Sequence, residues 1–193
     1  MIKFNKMTKY ILPSLKLSLV FLIICSGIYP LFIAGIGKLT PGKGKGETLS
    51  ANGRVVGYAL IGQKFDQDKY FWSRPSAAAY NAAGSSGSNK GPSNPDYLKD
   101  VQAHIDTFLA HDPGIKKEDI PAELVTYSAS GLDPDLSPAG ARIQIRRIAV
   151  ARGLSEEKLD NLVASHTENP LFGPAKVNVL KLNIALNDLA GSK

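Results

Sequence analysis

The feature that most limits what this chain can fold into is an uncharged, apolar run from Leu17 to Gly37, rich in Leu, Ile, Val and Phe. At about 1.5 Å of rise per residue, such a run reaches roughly 30 Å as a helix, the thickness of a bilayer's hydrocarbon core. Lys16 precedes it, with a stem long enough to snorkel to headgroups, and Lys38 closes the far side. The pattern predicts a membrane helix over 10–38, a short tail over 1–9 and a water-facing domain over 39–193. A cleaved signal peptide is the rival reading, but its apolar region is usually only about 7–15 residues. The run also lacks a small-x-small cleavage site, and Ile24 stands before Cys25 where a lipoprotein signal needs a small residue. Pro30 and the small residues Ser26, Gly27, Ala34, Gly35 and Gly37 are compatible with a span. The small residues would let a second helix approach closely, or are ordinary span composition.

Direction across the membrane does not follow from charge. Lys3, Lys6 and Lys9 precede the span, and Lys38, Lys43, Lys45 and Arg54 follow it, so the positive-inside count is nearly even. The net charge of +6 is dispersed along the chain without a block of like charges, which argues against nucleic-acid binding. With one cysteine, Cys25, no intramolecular disulfide can form.

After a Gly-rich basic linker, TPGKGKG, the sequence predicts a hairpin: Thr48 to Ala51, a turn at Asn52-Gly53, then Arg54 to Ile61. Phe65 and Tyr70-Phe71-Trp72 are expected to cover that sheet. Residues 73–95 read as a folded surface loop. Asn94 and Pro95 have the character of a helix cap and first turn, opening a helix to about Ala110 with Leu98, Val101, Ile105, Phe108 and Leu109 as its apolar stripe. A short strand is predicted at Leu124 to Ser128. Ser137-Pro138 should start a helix reaching Arg152, with Ile143, Ile148 and Val150 among its apolar positions. Ser155 should start another, to Ser165. Val177 to Leu189 reads as a final helix, although alternation at Leu180, Leu182, Ile184 and Leu186 also suits a strand. The domain is therefore expected to be α+β, with helices packed on a small sheet.

Chemical constellations are scarce. His104, His111 and His166 have no metal-binding spacing. Gly84 to Gly91 fails as a phosphate loop, because Asn89 and Gly91 stand where Gly and Ser or Thr are needed. Asp133 to Gln144 fails as a calcium loop, with Pro138 at the glycine position. The run SASGLDPDLSP is either a turn leading into a helix cap or a shaped loop of amides and hydroxyls able to meet a phosphate or a partner. No nucleophile and base can be nominated from spacing.

The chain resembles the C subunit of the Kdp potassium-transporting ATPases. The residues carrying the resemblance are Tyr70-Phe71, Arg74-Pro75-Ser76, Gly87-Ser88-Asn89, Gly91 to Pro95, Val125-Thr126, Ser130 to Pro134 and Ser137-Pro138-Ala139. Leu171, Gly173-Pro174, Val177 to Leu180, Leu182-Asn183 and Ala185-Leu186 continue it. Ala129, Asp135, Lys176 and Lys90 depart from residues common in the family, namely Gly, His, Arg and Leu.

The resemblance implies a non-catalytic subunit of an ATP-driven potassium uptake complex, needed for assembly and activity, in the inner membrane. Its N-terminus would be cytoplasmic and its domain outside, over the potassium-conducting subunit. The partners would be that channel-like subunit, a P-type ATPase subunit and a small single-span peptide. Arg74, Asn89, Asn94 and Asn178 are the candidate docking residues. No tightly bound cofactor or metal is implied. The family also carries a proposal that this subunit raises the pump's ATP affinity by touching nucleotide, for which Ser128, Ser130, Gly131 and Asp133 are the candidates. A domain outside the membrane cannot reach cytoplasmic ATP, which sets the two readings against each other.

Overall fold

The computed structural model describes residues 4–191; part of the expected tail, residues 1–3, lies outside them. The chain divides into two compact units, Met1–Glu47 and Thr48–Lys193.

The first unit is helical. Helix α1 (Phe4–Ile23) passes through a π-turn (Ile24–Ile28) into α2 (Tyr29–Gly37), followed by a 3₁₀ turn at Pro41–Gly44. The stretch Lys9–Gly37 is 29 residues long and apolar enough to cross a membrane, and none of its most apolar window is buried against the chain. Its side chains therefore find no apolar cover within their own unit, as expected of a helix whose solvent is lipid.

The second unit is α+β, as the sequence predicts. Strands β1 (Thr48–Ala51) and β2 (Arg54–Tyr58) pair antiparallel, with an irregularity between Leu49 and Ser50. Asn52 and Gly53 have φ of 51° and 74°, the left-handed pair that a two-residue hairpin turn requires. Helix α3 (Pro95–His111) is capped by Asn94, whose side-chain oxygen accepts from the amides of Asp96 and Tyr97 at 3.0 and 3.1 Å. Then come β3 (Asp135–Leu136), α4 (Pro138–Arg142), α5 (Ile145–Arg152), α6 (Glu156–Ser165), β4 (Thr167–Glu168), β5 (Lys176–Asn178) and α7 (Val179–Gly191). A second antiparallel sheet has β5 between β3 and β4. Phe71, Ile148, Leu159, Val163, Leu182 and Leu186 are fully buried in one core cluster, joined by Ile105 and Phe108 of α3.

Four expectations are corrected. Leu124 to Ser128 is not a strand: Ala122–Leu124 forms a 3₁₀ turn, and both the amide and the hydroxyl of Thr126 donate to the Ala122 carbonyl, which closes the turn. The helix from Pro138 breaks after Arg142. There the Gln144 amide donates to Ala141, and its side-chain nitrogen takes the Gly140 carbonyl that a continuous α-helix would have given the backbone. Val150 is 81% exposed, so α5 buries Ile145, Ile148 and Ala149 instead. The C-terminal segment is part strand and part helix: Val177 lies in β5, and the side chain of Asn178 accepts from the Lys181 amide at 3.0 Å to open α7.

The aromatic run divides as well. Phe65 and Tyr70 line a cleft with Val56 of the hairpin and, like Trp72, pack half-buried against the core, whereas Phe71 lies fully inside it. The backbone of Tyr70 to Ser73 belongs to no sheet, and side chains take over its hydrogen bonds. Asn183 accepts from the Phe71 amide and donates to the Phe71 carbonyl, both at 2.9 Å. Gln144 accepts from the Trp72 amide at 2.8 Å. Arg147 donates to the Tyr70 carbonyl at 3.1 Å and the Asp68 carbonyl at 2.7 Å. Replacing Asn183→Leu leaves two buried peptide groups unpaired. It should destabilise the subunit by about 3 kcal/mol or more, read by denaturant unfolding of the purified chain through its single tryptophan, Trp72.

Candidate functional site

The loop from Ser128 to Pro134 runs between residues 75–87 and 57–62 and is tied to both. Its Ser128 amide donates to the Pro75 carbonyl at 3.0 Å. Its carbonyls are taken in turn: Ser130 accepts from the Ser86 amide, Leu132 from the Gly62 amide at 2.8 Å, and Pro134 from the Val179 amide at 2.9 Å. The Ser76 hydroxyl donates to the Gly131 carbonyl at 2.6 Å. Gly131 has φ of +66°, and a Cβ there would stand 2.7 Å from both the Ala78 methyl and the Ser86 carbonyl oxygen. Glycine is required on both counts.

The same loop closes on itself. The amides of Gly131 and Leu132 donate to the Ser128 carbonyl and the Ser130 hydroxyl, and the Asp135 amide donates to the Asp133 carboxylate. Arg74 pairs with Asp133 at 2.9 Å, both side chains about a quarter exposed. The Arg74 Nε is buried without a partner. The Tyr80 hydroxyl donates to the Arg74 carbonyl, and burial pushes its pKa up to about 12, so it stays protonated.

A phosphate cradle needs successive free amides. Here the amides of Ser128, Gly131 and Leu132 are spent within the protein, and the Arg74 cation is already paired. The nucleotide candidates Ser128, Ser130, Gly131 and Asp133 are brought together in one loop: Ser128 and Gly131 are buried, Asp133 is half-buried in its ion pair, and Ser130 is exposed. Of the docking candidates, Asn89 is exposed, whereas Arg74 and Asn94 are half-buried in the ion pair and the α3 cap. Asn178 is buried; its side chain caps α7 and donates to the Ala59 carbonyl at 2.7 Å, so it offers no surface.

Sequence reasoning missed the most buried charge in the domain. Arg147 and Asp112 pair at 2.9 Å with side chains 3% exposed. The guanidinium lies 4.2 Å from the centre of the Trp72 ring and also donates to Gln144. Burial pushes the Asp112 carboxyl up and the Arg147 guanidinium down, and their contact opposes each shift. His111, against the Trp72 ring and paired with Asp68 at 2.6 Å, lines a cleft of about 390 Å³ beside this pair. No periodicity or motif marks Arg147, because its partners lie on segments distant in sequence. Among the described residues no group of three or more His, Cys, Asp or Glu could hold a metal.

The family model described as K+-transporting ATPase, c chain (KdpC), matches residues 11–188. The chain belongs to the KdpC family. It is 58% identical over 181 residues to the potassium-transporting ATPase KdpC subunit of Flavobacterium johnsoniae, covering 94% of this chain and 99% of that one. The KdpC subunit of Flavobacterium psychrophilum is 57% identical over 182 residues, with the same coverage. That of Bacteroides fragilis is 50% identical over 187 residues, covering 94% and 98%. The match to residues 11–188 takes in the apolar helix and the domain alike, so the resemblance read from the sequence is that of a whole KdpC chain.

Two outcomes follow from this KdpC loop and the sheet beside it. Gly131→Ala should destabilise the chain by about 2 kcal/mol or more through strain and collision, seen as a lower melting temperature and faster proteolysis between residues 73 and 95. Lys176 bridges the sheet, 2.8 Å from Asp135 and 3.9 Å from Glu168, and the hydrogen bond to Asp135 raises its pKa above the ordinary 10.5. Its stabilising effect is therefore complete below pH 10.5 and is lost as pH rises through the raised value. The stability gap between the native chain and Lys176→Met should be constant near neutrality and narrow in alkali.

Proposed function

We propose that this chain is a non-catalytic accessory subunit of a potassium-transporting ATPase, required for assembly and activity. The carrying observation is a division of labour. One unit is a bare apolar helix that needs cover from lipid or another helix. The other is a domain whose candidate loop spends much of its backbone on its own fold, and among the described residues no group of three or more His, Cys, Asp or Glu could hold a metal.

In this reading the helix crosses the inner membrane with its N-terminus in the cytoplasm. The domain stands outside, over the potassium-conducting subunit, within a complex that includes the P-type ATPase subunit and a small single-span peptide. Exposed polar residues such as Asn89 then belong to the docking or ion-access surface. The nucleotide reading requires the opposite sidedness and a different arrangement of the Ser128 to Asp133 loop.

Omitting this subunit from the reconstituted complex should abolish potassium-dependent ATP hydrolysis, and full activity without it would sink the proposal. Sidedness has its own measurement, because Cys25 is the chain's single thiol. In a Cys25→Ser background, Asn89→Cys should react with an impermeant maleimide added to intact cells. Reaction only after lysis would place the domain inside and favour the nucleotide reading.

A further inference from the structure

The apolar helix changes pitch once. The Tyr29 amide donates to the Ile24 carbonyl, five residues back, which makes Ile24–Ile28 a π-turn. Pro30 follows immediately. Proline has no N–H, and its ring collides with the carbonyl four residues earlier, here that of Ser26. A widened turn relieves the collision.

The relief leaves a deficit that can be counted. The Ile24 carbonyl has the Tyr29 amide, and from Ile28 onward the i→i−4 ladder of α2 resumes. Between them the carbonyls of Cys25, Ser26 and Gly27 face a single amide, that of Leu31, because Pro30 has none. Two of the three, centred on Cys25 and Ser26, are without a backbone donor. The nearest hydroxyl does not fill the gap: Ser26 donates backwards to the Leu22 carbonyl. Among the described residues no side chain donates to residues 25–27.

These carbonyls lie near the middle of Lys9–Gly37, the stretch long and apolar enough to span, within about 6 Å of its midpoint at about 1.5 Å per residue. Acyl chains have no donors, and headgroups are roughly 15 Å away, half the thickness of the core. A second copy of this chain has at this depth only the committed Ser26 hydroxyl and the weak thiol of Cys25. A Cβ built on Gly27 would meet nothing within 4 Å, so the backbone there is open to close approach.

We propose that the π-turn carbonyls of Cys25 and Ser26 are the acceptor half of an intramembrane docking site. The occupant is a membrane helix of a partner subunit that presents a hydroxyl or carboxamide donor at that depth. Membership of a family of ATPase subunits supplies such partners, and the inference rests on the membrane-spanning reading above. Pro30 is then what makes the carbonyls available.

The single cysteine makes the test specific. Cysteine labelled with ¹³C at its carbonyl carbon marks one carbonyl in the whole chain, that of residue 25. Its infrared amide band should move to lower frequency when the subunit in bilayers is compared with the assembled complex. In Pro30→Ala the ring collision is gone and an amide is restored, so the turn returns to α pitch. The Tyr29 amide then moves to the Cys25 carbonyl, and that shift should vanish. The complex should also release the subunit about threefold faster, a typical value for one intramembrane hydrogen bond. A band unchanged on assembly, or one already hydrogen-bonded in the isolated subunit, overturns the proposal. Carbonate extraction separates the two readings. A chain that washes off the membrane fails the spanning reading, whereas retention with an unchanged band fails only the docking site.

Discussion

The domain depends on how four residues, Tyr70 to Ser73, keep their backbone out of water. Phe71 is fully buried, yet its peptide groups have no neighbouring strand. A buried peptide without partners is costly, and the fold answers with side chains of Asn183 in α7, Arg147 in α5 and Gln144 just before α5. Asn183 offers one acceptor and one donor to the two groups of a single residue, as an adjacent strand would. Helices α5 and α7 are thereby fixed in register against an irregular segment, and the core closes around Phe71. Gln144 serves a second purpose. By replacing its own backbone amide at the Gly140 carbonyl, it lets the helix break where a bend is needed without leaving an acceptor bare.

Arg147 carries the electrostatic part of the same arrangement. A buried ion pair often contributes little net stability against an apolar substitute, but losing one partner is severe. Here the guanidinium is used at every nitrogen: Asp112, the Asp68 and Tyr70 carbonyls, and Gln144. Trp72 covers its face. Such saturation makes the pair a positioning device for the segment entering the core. It also explains why Asp112, at the end of α3, can be buried at all.

What the sequence made legible was local. The hairpin turn at Asn52-Gly53, the caps at Asn94, Ser137 and Ser155, and the helix end at Arg152, before a left-handed Gly153, each follow from the chemistry of one or two residues, and each is where expected. The misplaced elements share a different cause. Val125 and Tyr127 have strand character, but the Thr126 side chain and the tie from Ser128 to Pro75 impose turns that propensity does not encode. Val150 stands about 200° around α5 from Ile148, so a helix that buries Ile145, Ile148 and Ala149 on one face turns Val150 to solvent. The candidate loop was recognisable by its residues but not by their use. Nothing in the run SASGLDP says that its Ser128 amide and its Ser130 and Gly131 carbonyls will be met from elsewhere in the chain, because Pro75, Ser86 and Ser76 lie more than forty positions away in sequence.

One rule, that a polar backbone group must find a partner in proportion to the dryness of its surroundings, gives opposite results in the two units. In the α+β domain the Ser128 to Pro134 loop could have turned to solvent, yet the amides of Ser128, Gly131 and Leu132 and the carbonyls of Ser130, Gly131, Leu132 and Pro134 are met by the protein's own chain. In the apolar helix solvent is the least able to help, and there Pro30 leaves carbonyls that the chain does not meet. The loop is thus tied largely to its own domain, and the apolar helix carries the unmet demand. A donor offered inside the membrane competes with neither water nor salt, so what such a bond selects is a helix that carries a donor at that depth, even where the bond itself is worth only about threefold in affinity.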